Sequence, residues 1–447
     1  MGNRKISVLR ERFRKSTAKE KIINIFLLCL LVCAAVFLVE WVVWIIGNGY
    51  FFALPLFHQN WNDTFMDFFN VNYFVAEGRN PYGGESVSSY PPLILIIAKI
   101  FACMGDYSVG SVSTRSQVGG IVSLVLYFLV CFGICAFSFY LIAKRLGFKK
   151  YQIFLSGCVL FFSAPLLFLI ERGNYLLLAL AFVLLFFALY ESKSRVVREL
   201  SYLSLAVAFG IKLYPIAFGI VLVKDRRRLA IVRLAVYCIL LFFVPFFFFS
   251  GGLANFLAFI KNLISFTAYD TPYNNYALYQ IWYSIRNLFG QTPVSSTAVT
   301  VSKIISYCIC LLCVISAFLC RKKWQSLLSA SLFSIYITQP CYLYTGVMLI
   351  VPILYFLAEE EKSKKDWFIL VLFVIMMQPM YLGYIVYNSY EYLYHVTVSV
   401  FLQSLALLAL VVCCVVFAAE SVRQSFSEKR ALKRQSKESP AESGTEL

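Results

Sequence analysis

Charge is scarce in this chain of 447 residues, of which 14% are Asp, Glu, Lys or Arg, against roughly 25% in an ordinary soluble domain. Hydrophobic residues make up 60% of it and aromatic residues 17%. No water-soluble globule hides that much apolar side chain, so a soluble multidomain protein is excluded. A continuous basic face is missing too. The net charge of +17 is divided among short Lys/Arg runs between apolar stretches, which excludes nucleic acid as a partner. Nor is there a disulfide framework. Of the 14 cysteines, all but Cys103 and Cys341 sit inside apolar runs, and those two lie at run edges. The closely spaced Cys308, Cys310 and Cys313 have no His or carboxylate nearby. They are packing residues, not a metal site.

What is present is a series of apolar runs separated by basic clusters. A membrane-spanning helix needs about 20 apolar residues, and cytoplasmic loops collect Lys and Arg. Residues 1–21 carry Arg4, Lys5, Arg10, Arg12, Arg14, Lys15, Lys19 and Lys21, which predicts a cytoplasmic N-terminus. Residues 22–46 then form the first span, an anchor with no small-residue cleavage site after it. The run 119–143 ends at Lys144, Arg145, Lys149 and Lys150, so it crosses inward. The shorter stretch 91–105, opened by Pro91-Pro92, is then a helix lying in the outer interface.

Spans at 152–170 and 175–190 form a hairpin with Glu171-Arg172-Gly173-Asn174 at its outer tip. The stretch 200–223 has basic flanks at both ends and breaks at Lys212-Leu213-Tyr214-Pro215. It reads as two short helices holding Lys212 near the outer leaflet, each too short for a hydrocarbon core of about 30 Å. Residues 229–250 cross outward, 251–300 stay outside, and 301–320 return to Arg321-Lys322-Lys323. Residues 325–357 break again at Gln339-Pro340, and spans at 367–387 and 397–419 complete the set. Most of the 40 basic residues thereby fall on one side. The expected fold is an all-α polytopic bundle of about 10–12 membrane helices, with short broken hairpins and outer interfacial helices. Residues 22–420 form a single transmembrane domain with outer loops at 47–118 and 251–300, and 421–447 form a disordered cytoplasmic tail.

Ionisable groups at membrane depth are expensive, so their positions are informative. Arg172, Asn174 and Lys212 all fall on the outer side. The first outer loop adds Asp63 and Asp67, four residues apart and on one face if that stretch is helical. Carboxylates and half-buried cations on one side suit a general base facing an anionic leaving group. Tyr269, Tyr273, Tyr276, Tyr279 and Trp282 recur at helical spacing in the second outer segment, which suits interfacial anchoring.

Asp67-Phe68, Gly78-Arg79-Asn80-Pro81-Tyr82 and Tyr90-Pro91-Pro92-Leu93 resemble the first outer loop of C-type (GT-C) membrane glycosyltransferases. Arg172-Gly173-Asn174 and Ile211-Lys212-Leu213-Tyr214-Pro215 are similar to the polyprenyl-phosphomannose-dependent mannosyltransferase branch, glycosyltransferase family 87. The resemblance is spread over residues 60–360. It implies a sugar carried on a polyprenyl phosphate, mannose first, with glucose or another hexose open. It implies Asp67 as the base, with Asp63 as neighbour or alternative, acting on an acceptor hydroxyl that attacks with inversion. It implies Lys212, Arg172 and Arg286 at the donor phosphate, and Asn174, Tyr214, Tyr90, Arg79, Tyr82 and Gln339 around the substrate. Arg286 comes from a loose match to an Asn-rich stretch followed by Arg, here Asn274-Asn275-Tyr276. Where the family often carries a His-containing motif, this chain has Gln339-Pro340-Cys341-Tyr342-Leu343-Tyr344. Its two histidines, His58 and His395, fall in outer loops, and His58 could line the site.

No metal or other cofactor is implied, since the Asp63/Asp67 spacing is not the Asp-x-Asp of metal-using relatives. The acceptor is a glycolipid, polysaccharide or protein on the outer face of a plasma membrane, with both termini cytoplasmic. Two other classes compete. A lipid-linked glycan flippase or transporter predicts inverted repeats with charges near the midplane. An outer-envelope polysaccharide polymerase or ligase predicts several arginines in 251–300, where only Arg286 occurs.

Overall fold

The computed structural model describes residues 17–48, 63–83, 88–267, 275–289, 295–385 and 396–438. Its elements are almost all helical. Helix α1 spans Ala18–Asn48, α2 Met66–Val75, α3 Pro92–Ala102 and α4 Val118–Arg145. Helix α5 (Lys150–Phe161) and α6 (Ala164–Arg172) are joined at a 55° bend. Next come α7 (Leu176–Leu189), α8 (Arg195–Ile211), a 3-10 turn at Tyr214–Gly219 and α9 (Ile220–Lys224). Helix α10 (Arg228–Phe243), α11 (Asn255–Thr267), α12 (Leu278–Leu288) and α13 (Ser296–Leu319) follow. The chain ends with α14 (Lys323–Tyr336), a 3-10 segment at Leu343–Leu349, α15 (Ile350–Ala358), α16 (Lys364–Met377) and α17 (Val398–Glu438). One two-residue antiparallel pairing, Tyr384–Ile385 with Val396–Thr397, precedes α17.

Among the described residues five helices are long and apolar enough to cross a membrane, and the α5–α6 pair makes a sixth if counted as one bent span. The protein is a multi-pass, all-α membrane protein. At its centre stands α7, whose sequence LLLALAFVLLFFAL is apolar on every side and therefore has to be covered on every side. It packs between α4 and α8, and its residues from Leu176 to Phe187 are nearly all buried. Helix α4 instead turns Leu129 and Phe137 outward at 66% and 57% exposure, as a lipid-facing helix does.

The basic turns lie on one face and are tied to each other. Lys149 pairs with Glu20 at 2.8 Å, and Glu191 holds Arg145 at 3.2 Å and Lys323 at 2.8 Å. Lys322 reaches Glu359 at 3.1 Å. Arg145 and Arg227 donate to the carbonyls of Phe187 and Tyr190 at 2.7 Å each, filling acceptors that the end of α7 leaves open. We call this the basic face.

The 91–105 stretch forms α3, which has Ile94, Leu95 and Ala98 fully buried between α2, α8 and α10. Four expectations change. The single span 152–170 is broken near Ser163, with a proline in the first turn of α6. Helix α16 stops at Met377, where the chain becomes extended, so 367–387 is not one helix. Helix α17 continues to Glu438, which makes the segment from 421 helical up to that residue. Tyr276 and Tyr279, expected as interfacial anchors, are 0% and 1% exposed. Tyr269, Tyr273, Asn274, His58 and His395 lie outside the described residues.

Candidate active site

Opposite the basic face, at the other end of α7, four segments converge. Gly173 ends α6 in the left-handed conformation, φ 62°, which glycine adopts without a Cβ penalty. A Cβ there would lie 3.1 Å from that of Phe68, so the turn is pressed against the start of α2. The backbone N–H of Phe65 donates to the carbonyl of Glu171 at 2.6 Å and locks the two together. Phe65 itself sits at φ 64°, a conformation disfavoured for a bulky residue. Beneath this junction Tyr175 stacks on Phe68 at 5.5 Å and donates to Asn72 at 2.6 Å. The Tyr127 hydroxyl donates to the Asn174 carbonyl at 2.8 Å. The floor is rigid, aromatic and hydrogen-bonded.

On it, Asp67 in the first turn of α2 meets the Arg172–Asn174 turn. Arg172 Nη2 lies 2.5 Å from Asp67 Oδ1, and Asn174 Nδ2 donates to Asp67 Oδ2 at 2.7 Å. Arg172 Nη1 is also 3.6 Å from Asp63 Oδ2. The Asp67 side chain is 16% exposed and that of Asp63 48%. Burial alone would raise the Asp67 carboxyl. The Arg172 guanidinium and the Asn174 amide outweigh it, with a smaller contribution from Lys212, and hold the carboxyl below its usual range. Each carboxylate oxygen still has a lone pair for another donor.

Beside this cluster lies a cavity of about 570 Å³. Lys212 enters it from the break after α8, with its backbone extended at φ −143°. Its ammonium sits 4.1 Å above the Tyr90 ring, and no carboxylate pairs with it among the described residues. Gly210 makes this placement possible: a Cβ there would fall 2.5 Å from Leu93 Cδ2, so α8 approaches α3 closely. Tyr90 is in turn fixed by Tyr82, whose hydroxyl donates to the Tyr90 carbonyl at 2.9 Å. The Tyr90 hydroxyl faces Asn174 and Asp67, which joins the two halves of the site. Tyr214 and Gln339 line the cavity from its two helix breaks. Gln339 Oε1 is buried without a partner.

The structure thus gathers Asp67, Asp63, Arg172, Asn174, Lys212, Tyr90, Tyr214 and Gln339. Two expected site residues stand apart. Arg79 is held by Glu77 at 2.9 Å and lies over the Tyr73 ring at 3.9 Å, and Arg286 on α12 is absent from the cavity lining. Tyr82 is 4% exposed and bonds to the Tyr90 carbonyl without lining the cavity. Tyr342 and Tyr344 belong to the cavity and were not among the expected site residues. Tyr344 stacks on Phe168 at 5.7 Å and feels the Asp67 charge. Their signal was the second helix break, at Gln339-Pro340, which mirrors the one at Lys212.

Among the described residues no group of three or more His, Cys, Asp or Glu is arranged to hold a metal. What the arrangement can do is accept a proton at Asp67 and stabilise an anion at Lys212. Residues 89–302 match the family model of glycosyltransferase family 87. The match takes in Tyr90, Arg172, Asn174, Lys212 and Tyr214, and leaves Asp63, Asp67 and Gln339 outside it. No curated protein matches the chain.

Proposed function

This chain is a C-type membrane glycosyltransferase of family 87, and from that premise we propose that its donor is a hexose, mannose first, on a polyprenyl phosphate. The observation that carries the proposal is the unpaired Lys212 at the head of an apolar groove. Its cavity shares the walls Phe209, Ile216 and Phe333 with a second cavity of about 570 Å³. That second chamber has no charged lining residue and is flanked by α10 and α13. A cation at one end and hydrocarbon beyond suit a phosphate with a long isoprenoid tail. Among the described residues one unpaired cation lines this cavity, which suits a monophosphate better than the diphosphate of a polymerase or ligase.

In the reaction the acceptor oxygen forms a bond to the anomeric carbon while the bond from that carbon to the phosphate oxygen breaks. The polyprenyl phosphate leaves with the electron pair, and Lys212 neutralises it. Asp67 takes the hydroxyl proton, oriented by Arg172 and Asn174, so attack and departure occur on opposite faces and the configuration inverts. Asp63, more exposed, adjusts the field at Arg172 or takes the base role itself. Tyr90, Tyr214 and Gln339 surround the sugar. The step as written needs no metal, because Lys212 supplies the positive charge that the departing phosphate requires. The site opens away from the basic face, which supports transfer on the extracytoplasmic side of the plasma membrane, with both termini cytoplasmic. The acceptor there is a glycolipid, a polysaccharide or a protein.

The test supplies purified protein in nanodiscs with polyprenyl-phosphate mannose, polyprenyl-phosphate glucose or nucleotide sugars, together with total membrane glycolipid. Transfer from a lipid-linked sugar, with equimolar release of polyprenyl phosphate, is the expected result. Transfer from nucleotide sugars alone would overturn the proposal.

A further inference from the structure

At the basic end, far from Asp67 and Lys212, α13 and α17 bound a cleft of about 920 Å³. Its sides repeat at helical spacing: Leu312, Ile315 and Leu319 on α13, and Val415, Ala418 and Val422 on α17. Leu312 and Ile315 are 44% and 45% exposed, so this part faces hydrocarbon. Just beyond Val422 the lining changes character, to Arg423, Phe426, Ser427 and Arg430. The two arginines are seven residues apart and so share a face about 10 Å long.

The charges around the cleft are sorted. Helix α17 carries Glu420 and Glu428 in the same stretch, and both are engaged elsewhere. Glu420 pairs with Lys365 of α16, and Glu428 takes Arg321 through two hydrogen bonds of 2.7 and 2.5 Å. Among the described residues the cleft lining contains no acidic residue. Among the described residues Arg423 and Arg430 have no carboxylate partner, while their neighbour Phe426 is 61% exposed.

We propose that this cleft binds one anionic phospholipid of the leaflet on the basic face. Its acyl chains lie along the α13–α17 seam and its phosphate lies between Arg423 and Arg430. Guanidinium groups match phosphate oxygens in pairs, and basic pockets between membrane helices take anionic headgroups. A soluble anion would satisfy the arginines and leave the apolar stretch empty, and a zwitterionic lipid would fill the stretch and leave net positive charge. An anionic lipid does both. Bound there, it staples the end of α13 to α17, which braces α14 and α16.

The test is native mass spectrometry of the delipidated full-length protein titrated with phosphatidylglycerol or phosphatidylcholine of the same chain length. Wild type is compared with the double variant Arg423→Gln/Arg430→Gln, and with Lys193→Gln as a control on the same face. Phosphatidylglycerol should bind wild type and Lys193→Gln about thirty-fold more tightly than the double variant. If the double variant folds poorly, Ile315→Trp fills the apolar part and should evict phosphatidylglycerol with both arginines intact. Equal binding of the two lipids, or undiminished phosphatidylglycerol binding in the double variant or in Ile315→Trp, would overturn the proposal. Full displacement by soluble glycerol phosphate would overturn it too, since the acyl chains would then contribute nothing.

Discussion

Replacing Lys212 by Met removes a cation from the donor cavity while keeping an unbranched apolar stem. A charge-assisted hydrogen bond to phosphate contributes about 1.5–3 kcal/mol, and each 1.36 kcal/mol is tenfold in rate. Loss of Lys212 should therefore lower kcat/KM for the lipid-linked donor by about 10- to 150-fold. Stability should move little. Among the described residues Lys212 has no carboxylate to abandon and lies over the ring of Tyr90 at 4.1 Å, an interaction of about 0.5–2 kcal/mol. Relief from holding an unpaired cation off bulk water offsets part of that loss. Lys212→Arg should recover much of the activity, because charge is what the phosphate reads. The assay is initial-rate transfer over a range of donor concentrations, with thermal unfolding of each variant measured alongside. Wild-type kcat/KM in a folded Lys212→Met would refute the assignment of Lys212 to the phosphate.

Other outcomes follow from the same geometry. Arg172→Gln leaves Asp67 buried without its partner at 2.5 Å, so it should lower the melting temperature more than Lys212→Met does, in the same unfolding assay. Tyr82→Phe removes the bond to the Tyr90 carbonyl, worth about 1 kcal/mol. It should raise KM for the donor about five-fold with kcat less affected, as a positioning residue would. Because Arg172 and Asn174 hold the folded Asp67 carboxyl below its usual value, the carboxylate survives as pH falls to the ordinary range near about 3.9. The stability it contributes is complete above the unfolded value and is lost only as pH drops through the folded one. A pH–rate profile should accordingly show no acidic limb between about pH 5 and 7, roughly one unit or more above that range. Transfer should also survive EDTA.

Much of this architecture was legible because membrane insertion writes itself into sequence. The run 119–143 became α4 with short extensions at both ends, 229–250 became α10 followed by a 3-10 turn to Phe248, and the breaks at Lys212 and Gln339-Pro340 are real. Apolar composition alone could not tell a lipid-facing helix from a protein-covered one. It did not show that α3 is covered by protein, which the close approach of α8 at Gly210 brings about. The 55° bend near Ser163 and the helical course of α17 beyond 421 were hidden for the opposite reason, since local pattern says little about where a helix turns or stops. At the site, residue types were readable but partnerships were not. Arg172 was expected at the donor phosphate, whereas its guanidinium faces Asp67 and Asp63 across more than a hundred residues of chain. That contact depends on the Gly173 turn meeting Phe65, and nothing local to either segment announces it. Tyr344 was overlooked because aromatic residues are so common here that one more carries no signal.

The most direct test of the account is sugar transfer from polyprenyl-phosphate mannose by wild type, Asp67→Asn and Asp63→Asn, in nanodiscs with EDTA present. Removing a general base lowers the rate by about 10²- to 10⁴-fold, so Asp67→Asn should lose that much while Asp63→Asn keeps most of its activity. Full activity in a folded Asp67→Asn would contradict the assignment of the base, and with it the mechanism proposed for this site.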